Sequence, residues 1–191
     1  MTQIFEQTVA IQGGPGSYHE EAAAQLQQEI GAKTLAYVDT FDDVFDGLLS
    51  AEWDSALVAI ANNSVGFIAE PHARLINTPE SFKIVGETYV RVDHQLLALP
   101  GAKLEEIKEV HSQAPALGQC SKYLAHVLPK AIIIEQHDTA GSAELVAGWH
   151  DLTKAAIASA RAGSLHGLAP IAESIQDDSD NITRFLLVSN S

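Results

Sequence analysis

Short apolar runs and longer amphipathic stretches alternate along almost the whole chain. "TVAIQ" (8–12), "TLAYV" (34–38), "SALVAIA" (55–61), "KAIIIEQH" (130–137) and "KAAIAS" (154–159) have the length and apolar content of strands. Between them, "SYHEEAAAQLQQEIG", "TFDDVFDGLLSAE", "FIAEPHARLINTP", "APALGQCSKYLAHVL", "DTAGSAELVAGWH" and "ARAGSLHG" carry apolar residues at helical spacing. Strand and helix in alternation predict an α/β fold with largely parallel sheets, because parallel strands need long crossover connections. One segment breaks the rhythm. "FKIVGETYVRVDHQLLALPG" (82–101) is extended and too long for one ordinary strand, so it predicts a crossing between two lobes. The predicted division is 1–85 with 170–191 as a first α/β lobe and 86–169 as a second, with a cleft between them.

Bulk composition narrows the function classes. The chain has 191 residues and 46% hydrophobic content, enough for a real core and too much for disorder. Acids number 25 against 11 lysines and arginines, a net charge of −14. No basic patch is visible, so nucleic acid is not an expected partner. Long-range repulsion of anions also means that any anion site has to work through local donors. With one cysteine, Cys120, no intrachain disulfide forms and no cysteine-based zinc cluster is expected. No run approaches the ~20 apolar residues of a membrane span, and "MTQIFEQTVAIQGG" has no basic leader region. A soluble cytoplasmic protein is expected.

Polar clusters follow the predicted strands at Gly13–Ser17, Asn62–Ser64, Ser112–Gln113, Asp138–Thr139 and Ser159. In α/β sheets, ligands bind past the carboxyl ends of strands, where helix N-termini offer free N–H groups. Each cluster also has a structural reading. Ser17 with Glu20 has capping-box spacing, and Asp138 or Thr139 suits an N-cap. "GGPG" permits a tight turn but is not a dinucleotide fingerprint, and no P-loop lysine follows it. The eight histidines are scattered without the i, i+4 pair of a helical metal site. No G-x-S-x-G nucleophile elbow occurs.

Taken in order, "GGPGSYHEEAA", "IANNSVG", "IVGE…HQLLALPG", "EVHS…ALGQCSKYL", "DTAGSA", "AAIAS…HGL" and "DNITRF" resemble the catalytic domain of prephenate dehydratases, including the arogenate dehydratase branch. The resemblance implies a two-lobed fold of the periplasmic-binding-protein type (type II), with the active site in the cleft. It implies loss of water and CO2 from prephenate to give phenylpyruvate for phenylalanine synthesis, with no metal and no organic cofactor. Thr183 is then the catalytic residue, contacting the leaving hydroxyl. Asn62, Ser112 and Gln119 would hydrogen-bond the substrate. Asn63, Arg184, Ser17 and Gly16 complete the candidate substrate contacts, and Phe185 is a core residue. The chain departs from the family pattern at Ala61, where a glutamate is usual and could polarise the threonine. It departs again at Gln113-Ala114, and at His19-Glu20. Arogenate dehydratase, prephenate decarboxylase and a non-catalytic small-ligand binding protein are the alternatives. Relatives are commonly homodimers, and many carry a C-terminal ACT domain that binds phenylalanine. No such domain is expected within these 191 residues.

Overall fold

The computed structural model describes residues 7–30 and 33–191. Residues 1–6 of the expected first lobe, and the Gly31 end of the first predicted helix, lie outside them. The chain divides into two compact units. The first runs up to Gly14, resumes over Tyr18–Val90 and closes with Ile182–Ser191. The second takes Pro15–Ser17 and Arg91–Asn181. The predicted exchange points at 85/86 and 169/170 therefore differ from the observed ones at 90/91 and 181/182. Pairing explains the shift. The strand after residue 82 stays in the first sheet to its end, and residues 169–172 pair inside the second sheet.

The first unit holds β1 (Gln7–Gln12), α1 (Tyr18–Ile30), β2 (Lys33–Val38), α2 (Phe41–Leu49), β3 (Ser55–Asn62), β4 (Gly66–Phe67), α3 (Ala69–Asn77) and β5 (Phe82–Arg91). The second holds β6 (Gln95–Ala98), a 3-10 turn at Leu104–Glu106, β7 (Glu109–Ser112), α4 (Ala114–Gln119), α5 (Ser121–Val127), β8 (Ile132–Glu135), α6 (Thr139–Trp149), β9 (Lys154–Ala158), α7 (Ala160–His166) and β10 (Ala169–Ala172). The chain then returns to the first unit as β11 (Ile182–Asn190). Among the described residues no helix is long and apolar enough to cross a membrane.

The first sheet has the order β2-β1-β3-β11-β5, with β4 hydrogen-bonded to β3. Its core has two sides. Val9, Ile11, Leu57, Ala59, Phe185 and Leu187 pack with Ala22, Ala23 and Leu26 of α1. Ala10, Ala56, Val58, Leu186 and Val188 pack with Val44, Phe45 and Leu48 of α2. Strand β11 sits between β3 and β5 and is covered on both faces, which is why "FLLV" is apolar without alternation. The second sheet has the order β10-β6-β9-β7-β8 and is likewise clothed on both faces. Leu96, Val110 and Ile157 pack with Ala116 and Leu124, and Leu97 and Ala156 pack with Ala143 and Val146.

The expectation of largely parallel sheets needs correction. β1 runs parallel to β2 and β3, and β7 runs parallel to β8 and β9. β11 and β4 are antiparallel to β3, β6 is antiparallel to β9, and β10 is antiparallel to β6. Strands β6 and β11 are reached through extended segments rather than crossover helices, so their direction is not forced to be parallel.

Local chemistry sets several boundaries. Thr40 caps α2 by accepting the Asp43 N–H at 3.1 Å. Pro71 falls in the first turn of α3, where its missing N–H has no intrahelical partner to lose. Asp138 caps α6, accepting the Gly141 N–H at 2.7 Å. The predicted helix over 114–128 is two helices, α4 and α5, broken at Cys120. A remote carboxylate restarts the second helix: Asp177 accepts the Lys122 N–H at 3.1 Å and the Ser121 hydroxyl at 3.0 Å. The Cys120 thiol is buried in this break, which pushes its pKa up to about 12 and leaves it inert.

Gly47 gives a stability prediction that opposes helix propensity. Glycine inside an exposed helix is normally improved by alanine. Here a Cβ would lie 2.0 Å from the Trp53 ring, which is held by its Nε1–H donating to the Val44 carbonyl at 2.8 Å. Gly47→Ala is therefore expected to destabilise the fold by about 1–3 kcal/mol, the cost of overpacking. Urea denaturation against wild type measures it.

Candidate active site

In the first unit, the candidate residues Asn62 and Thr183 meet across β3 and β11. They are direct partners in the antiparallel register, so their side chains leave the sheet on one face. Asn62 Nδ2 donates to Thr183 Oγ1 at 2.9 Å. The amide orientation is fixed from its other end: Asn62 Oδ1 accepts the Ser64 N–H at 2.8 Å and the Val65 N–H at 3.2 Å, an Asx turn. Since the oxygen must face those N–H groups, the nitrogen must face threonine. Thr183 Oγ1 thus acts as an acceptor toward Asn62, and its own proton is left to donate elsewhere. Thr183 is 7% exposed, where a donated hydrogen bond is stronger than in water.

Asn63 secures the start of the same strand. Its Oδ1 accepts the Ile182 N–H at 2.7 Å, and its N–H donates to the Ile182 carbonyl at 3.1 Å. Its side chain is thus committed to the backbone that carries Thr183.

Arg184 goes the other way. Successive side chains on a strand alternate faces, so Arg184 leaves β11 opposite to Thr183. Its Nε and Nη2 both reach Glu87 Oε2, at 3.0 and 2.5 Å, on the exposed surface of β5. That pairing raises the guanidinium pKa further. Arg184 is not brought to Thr183.

A bulge determines where Ala61 points. Arg184 faces Ala61 but Phe185 faces Ala59, so Ile60 is the extra residue of β3. Ile60 and Ala61 consequently both belong to the α2 side, while Ala59 and Asn62 belong with Phe185 and Thr183. The Ala59 N–H donates to His19 Nε2 at 3.3 Å. His19 also packs edge-on against Phe185, ring centroids 5.0 Å apart. With Nε2 accepting, the ring proton sits on Nδ1.

Burial lowers the His19 pKa from its ordinary 6.5 to about 4, so the ring is neutral near pH 7. The unfolded chain therefore binds the extra proton between about pH 6.5 and 4, and stability is lost as pH falls through that window. The full effect is about 3 kcal/mol. His19→Gln keeps an acceptor but does not titrate. Urea midpoints measured from pH 7 to 4 should fall more steeply for wild type than for His19→Gln. Equal slopes would show that His19 is not the group responsible.

The second unit holds the other candidates. Ser112 ends β7, fully buried, and donates to the Ile157 carbonyl at 2.7 Å. Its own carbonyl accepts the Gln136 N–H at 2.9 Å. What Ser112 retains for a ligand is acceptor capacity on its hydroxyl. Gln119 ends α4, half-buried, with Oε1 2.7 Å from His94 Nε2. Gly16 and Ser17 are buried beside α7. Ser159, the N-cap of α7, accepts the Ala162 N–H at 3.0 Å and donates to the Gly16 carbonyl at 2.7 Å. Gly16 has φ +85°, and a Cβ there would lie 2.8 Å from Ala162 Cα, so only glycine fits. The "GGPG" turn is thereby explained by packing on α7.

Sequence reasoning missed His94, His19 and the 175–177 segment. The eight histidines read only as scattered residues, and no local pattern marks Ile175, Gln176 or Asp177. Their partners lie far away in the chain, so no local spacing announces them.

A family model described as prephenate dehydratase matches residues 9–191. Arogenate dehydratase 5 of Arabidopsis thaliana, named as chloroplastic, is 39% identical over 181 residues, which is 95% of this chain and 41% of that protein. The prephenate dehydratase of Arthrobacter aurescens, solved in complex with L-Phe, matches with a TM-score of 0.84 at 28% identity, over 96% of this chain and 60% of that one. A periplasmic substrate-binding protein of an ABC transporter from Coxiella burnetii matches over 96% of this chain and 84% of its own, with a TM-score of 0.54 at 14% identity, a likeness of fold alone. The expected α/β, two-lobed type II periplasmic-binding-protein-like fold is thus the fold of this chain. The chain spans 41% of the length of arogenate dehydratase 5 of Arabidopsis thaliana and 42% of that of arogenate dehydratase 1 of Petunia hybrida. By the family model, which takes in residues 9–191, the chain belongs to the prephenate dehydratase family.

Proposed function

We propose that the protein is a dehydratase converting prephenate to phenylpyruvate, water and CO2. The observation that carries this reading is the locked Asn62 amide, which leaves the Thr183 proton to a ligand. Membership of the family supports it. In the reaction the bond to the ring carboxylate breaks and its electron pair enters the ring. The carbon–oxygen bond at the far ring carbon then breaks, hydroxide leaves, and one proton from solvent completes the water. A threonine hydroxyl is too weak an acid to supply that proton outright. It acts instead as a positioned hydrogen-bond donor to the leaving oxygen, where negative charge develops. Aromatisation supplies the driving force, so the protein's work is positioning and charge stabilisation.

Asn62, Asn63, Ser112, Gln119, Ser17, Gly16 and Arg184 are proposed as substrate contacts on family resemblance. For Arg184, Ser112 and Asn63 the observed partners favour a supporting role instead. Arogenate is the second substrate reading, favoured by the 39% identity to an arogenate dehydratase. It carries an amino group where prephenate carries a keto group, and the ring chemistry is unchanged. A cytoplasmic location and a homodimer complete the proposal.

Alanine stands at position 61, where the family usually has a glutamate. Ala61 stands on the Arg184 side of β3, away from Thr183. Ala61→Glu is therefore expected to place its carboxylate near Arg184 and to leave turnover unchanged. A clear gain in kcat would show that a carboxylate at 61 reaches the reacting groups.

The test of the reaction class is stoichiometric. CO2 and phenylpyruvate should appear in equal amounts from prephenate. CO2 without phenylpyruvate would make the protein a decarboxylase, neither product from prephenate would leave arogenate as the substrate, and no product from either acid would leave a binding protein.

A further inference from the structure

His94 and Gln119 are held together by three consecutive residues. The Ile175 N–H donates to the His94 carbonyl at 2.9 Å, and Gln176 Oε1 accepts the His94 N–H at 2.9 Å. Gln176 Nε2 donates to Asp93 Oδ1 at 3.1 Å, and the Asp177 N–H donates to the Gln119 carbonyl at 2.6 Å. Both residues are therefore fixed in backbone as well as side chain. His94 is 2% exposed, and its ring nitrogen Nε2 lies 2.7 Å from Gln119 Oε1. A carbonyl oxygen only accepts, so Nε2 carries the proton. Among the described residues no protein acceptor engages the Gln119 amide nitrogen.

We propose that His94 is a positioning residue: its Nε2–H holds the Gln119 side-chain oxygen and so presents the Gln119 amide N–H pair to the substrate. The inference rests on the reading of Gln119 as a substrate contact. An unheld glutamine amide has two nearly equal orientations and three rotatable bonds. A neutral buried imidazole removes both freedoms at no cost in charge, since desolvation keeps the His94 pKa below its ordinary value. The donor then meets a carboxylate or hydroxyl of the substrate already oriented, which is what pre-organised hydrogen bonds contribute to binding and rate.

The test uses the full chain with prephenate, and His94→Phe, His94→Gln, Gln119→Ala and the His94→Phe/Gln119→Ala double variant. His94→Phe should lower kcat/KM about tenfold, the order expected for one lost oriented hydrogen bond, mainly through KM. His94→Gln, which again offers an N–H, should recover most of that loss. The double variant should be no worse than Gln119→Ala alone, because His94 acts through Gln119. Losses that multiply in the double variant, or no recovery in His94→Gln, would overturn the proposal.

A readout without substrate separates this proposal from the functional reading. Nitrogen-15 NMR should show His94 as the Nε2–H tautomer. The Gln119 side-chain N–H pair should be dispersed in wild type and collapse toward free-glutamine shifts in His94→Phe. If wild type converts neither prephenate nor arogenate, the functional reading fails, and these shifts still decide whether His94 holds Gln119. An Nδ1–H tautomer would overturn the proposal on its own.

Discussion

Thr183→Ala is expected to lower kcat by at least about 100-fold, the usual loss when one transition-state donor is removed. The effect should fall on kcat more than on KM, since the hydrogen bond strengthens only as the hydroxyl departs. Thr183→Ser keeps the oxygen in register with Asn62 and should retain most activity. Thr183→Val keeps the shape and strand preference but leaves Asn62 Nδ2 without its acceptor, adding about 1–3 kcal/mol of instability. Steady-state kinetics on the three variants, with urea denaturation alongside, separates the chemical role from the structural one. A Thr183→Ala enzyme with unchanged kcat would remove Thr183 from the mechanism.

Phe185→Ala is the substitution with the largest expected effect on stability. The ring is 1% exposed and packs with Ile11, Leu57, Ala59 and α1. It also carries the edge contact to His19. Truncation leaves a cavity at the centre of a sheet whose neighbours are backbone-fixed, so little collapse is available. The expected loss is about 3–5 kcal/mol, a large part of the ~5–15 kcal/mol that holds a typical domain together. Phe185→Leu should lose less than about 1.5 kcal/mol. Activity in Phe185→Ala should fall with the folded fraction, and saturating osmolyte should recover part of it. Wild-type urea stability would show that Phe185 is not a core residue.

Much of the fold was legible because its strands and helices announce themselves by period. The alternation from residue 8 to residue 62 maps onto β1, α1, β2, α2 and β3 almost residue for residue. The long segment at 82–101 breaks at Val92–His94, between a strand of one sheet and a strand of the other. Strand direction was not legible, since β11 and β10 carry no local mark of the partner they choose. The break at Cys120 was hidden for the same reason: the carboxylate that restarts the helix is Asp177, 55 residues away from Lys122.

The site divides in the same manner. "NITRF" and "ANNS" pointed to Thr183 and Asn62 through resemblance, and the cross-strand register then supplies the reason they act together. Composition could not reveal that Asn62 has a forced orientation, because that depends on the turn at Ser64 and Val65. The notion that a carboxylate at 61 polarises the threonine loses its geometric basis at the Ile60 bulge, a one-residue feature that no pattern of apolar residues predicts. Arg184 looked like a cleft residue from its neighbour in the motif. Strand alternation alone sends it to Glu87.

The most direct measurement is to mix the purified protein with prephenate near neutral pH and follow phenylpyruvate by its absorbance in alkali, beside a no-enzyme control and the Thr183→Ala variant. Arogenate, followed as phenylalanine, is run in parallel. Product above the control from one of the two acids, lost in Thr183→Ala, is the predicted result. Product formation at the control rate from both acids, with a protein that is folded by circular dichroism, would contradict a dehydratase built on Thr183.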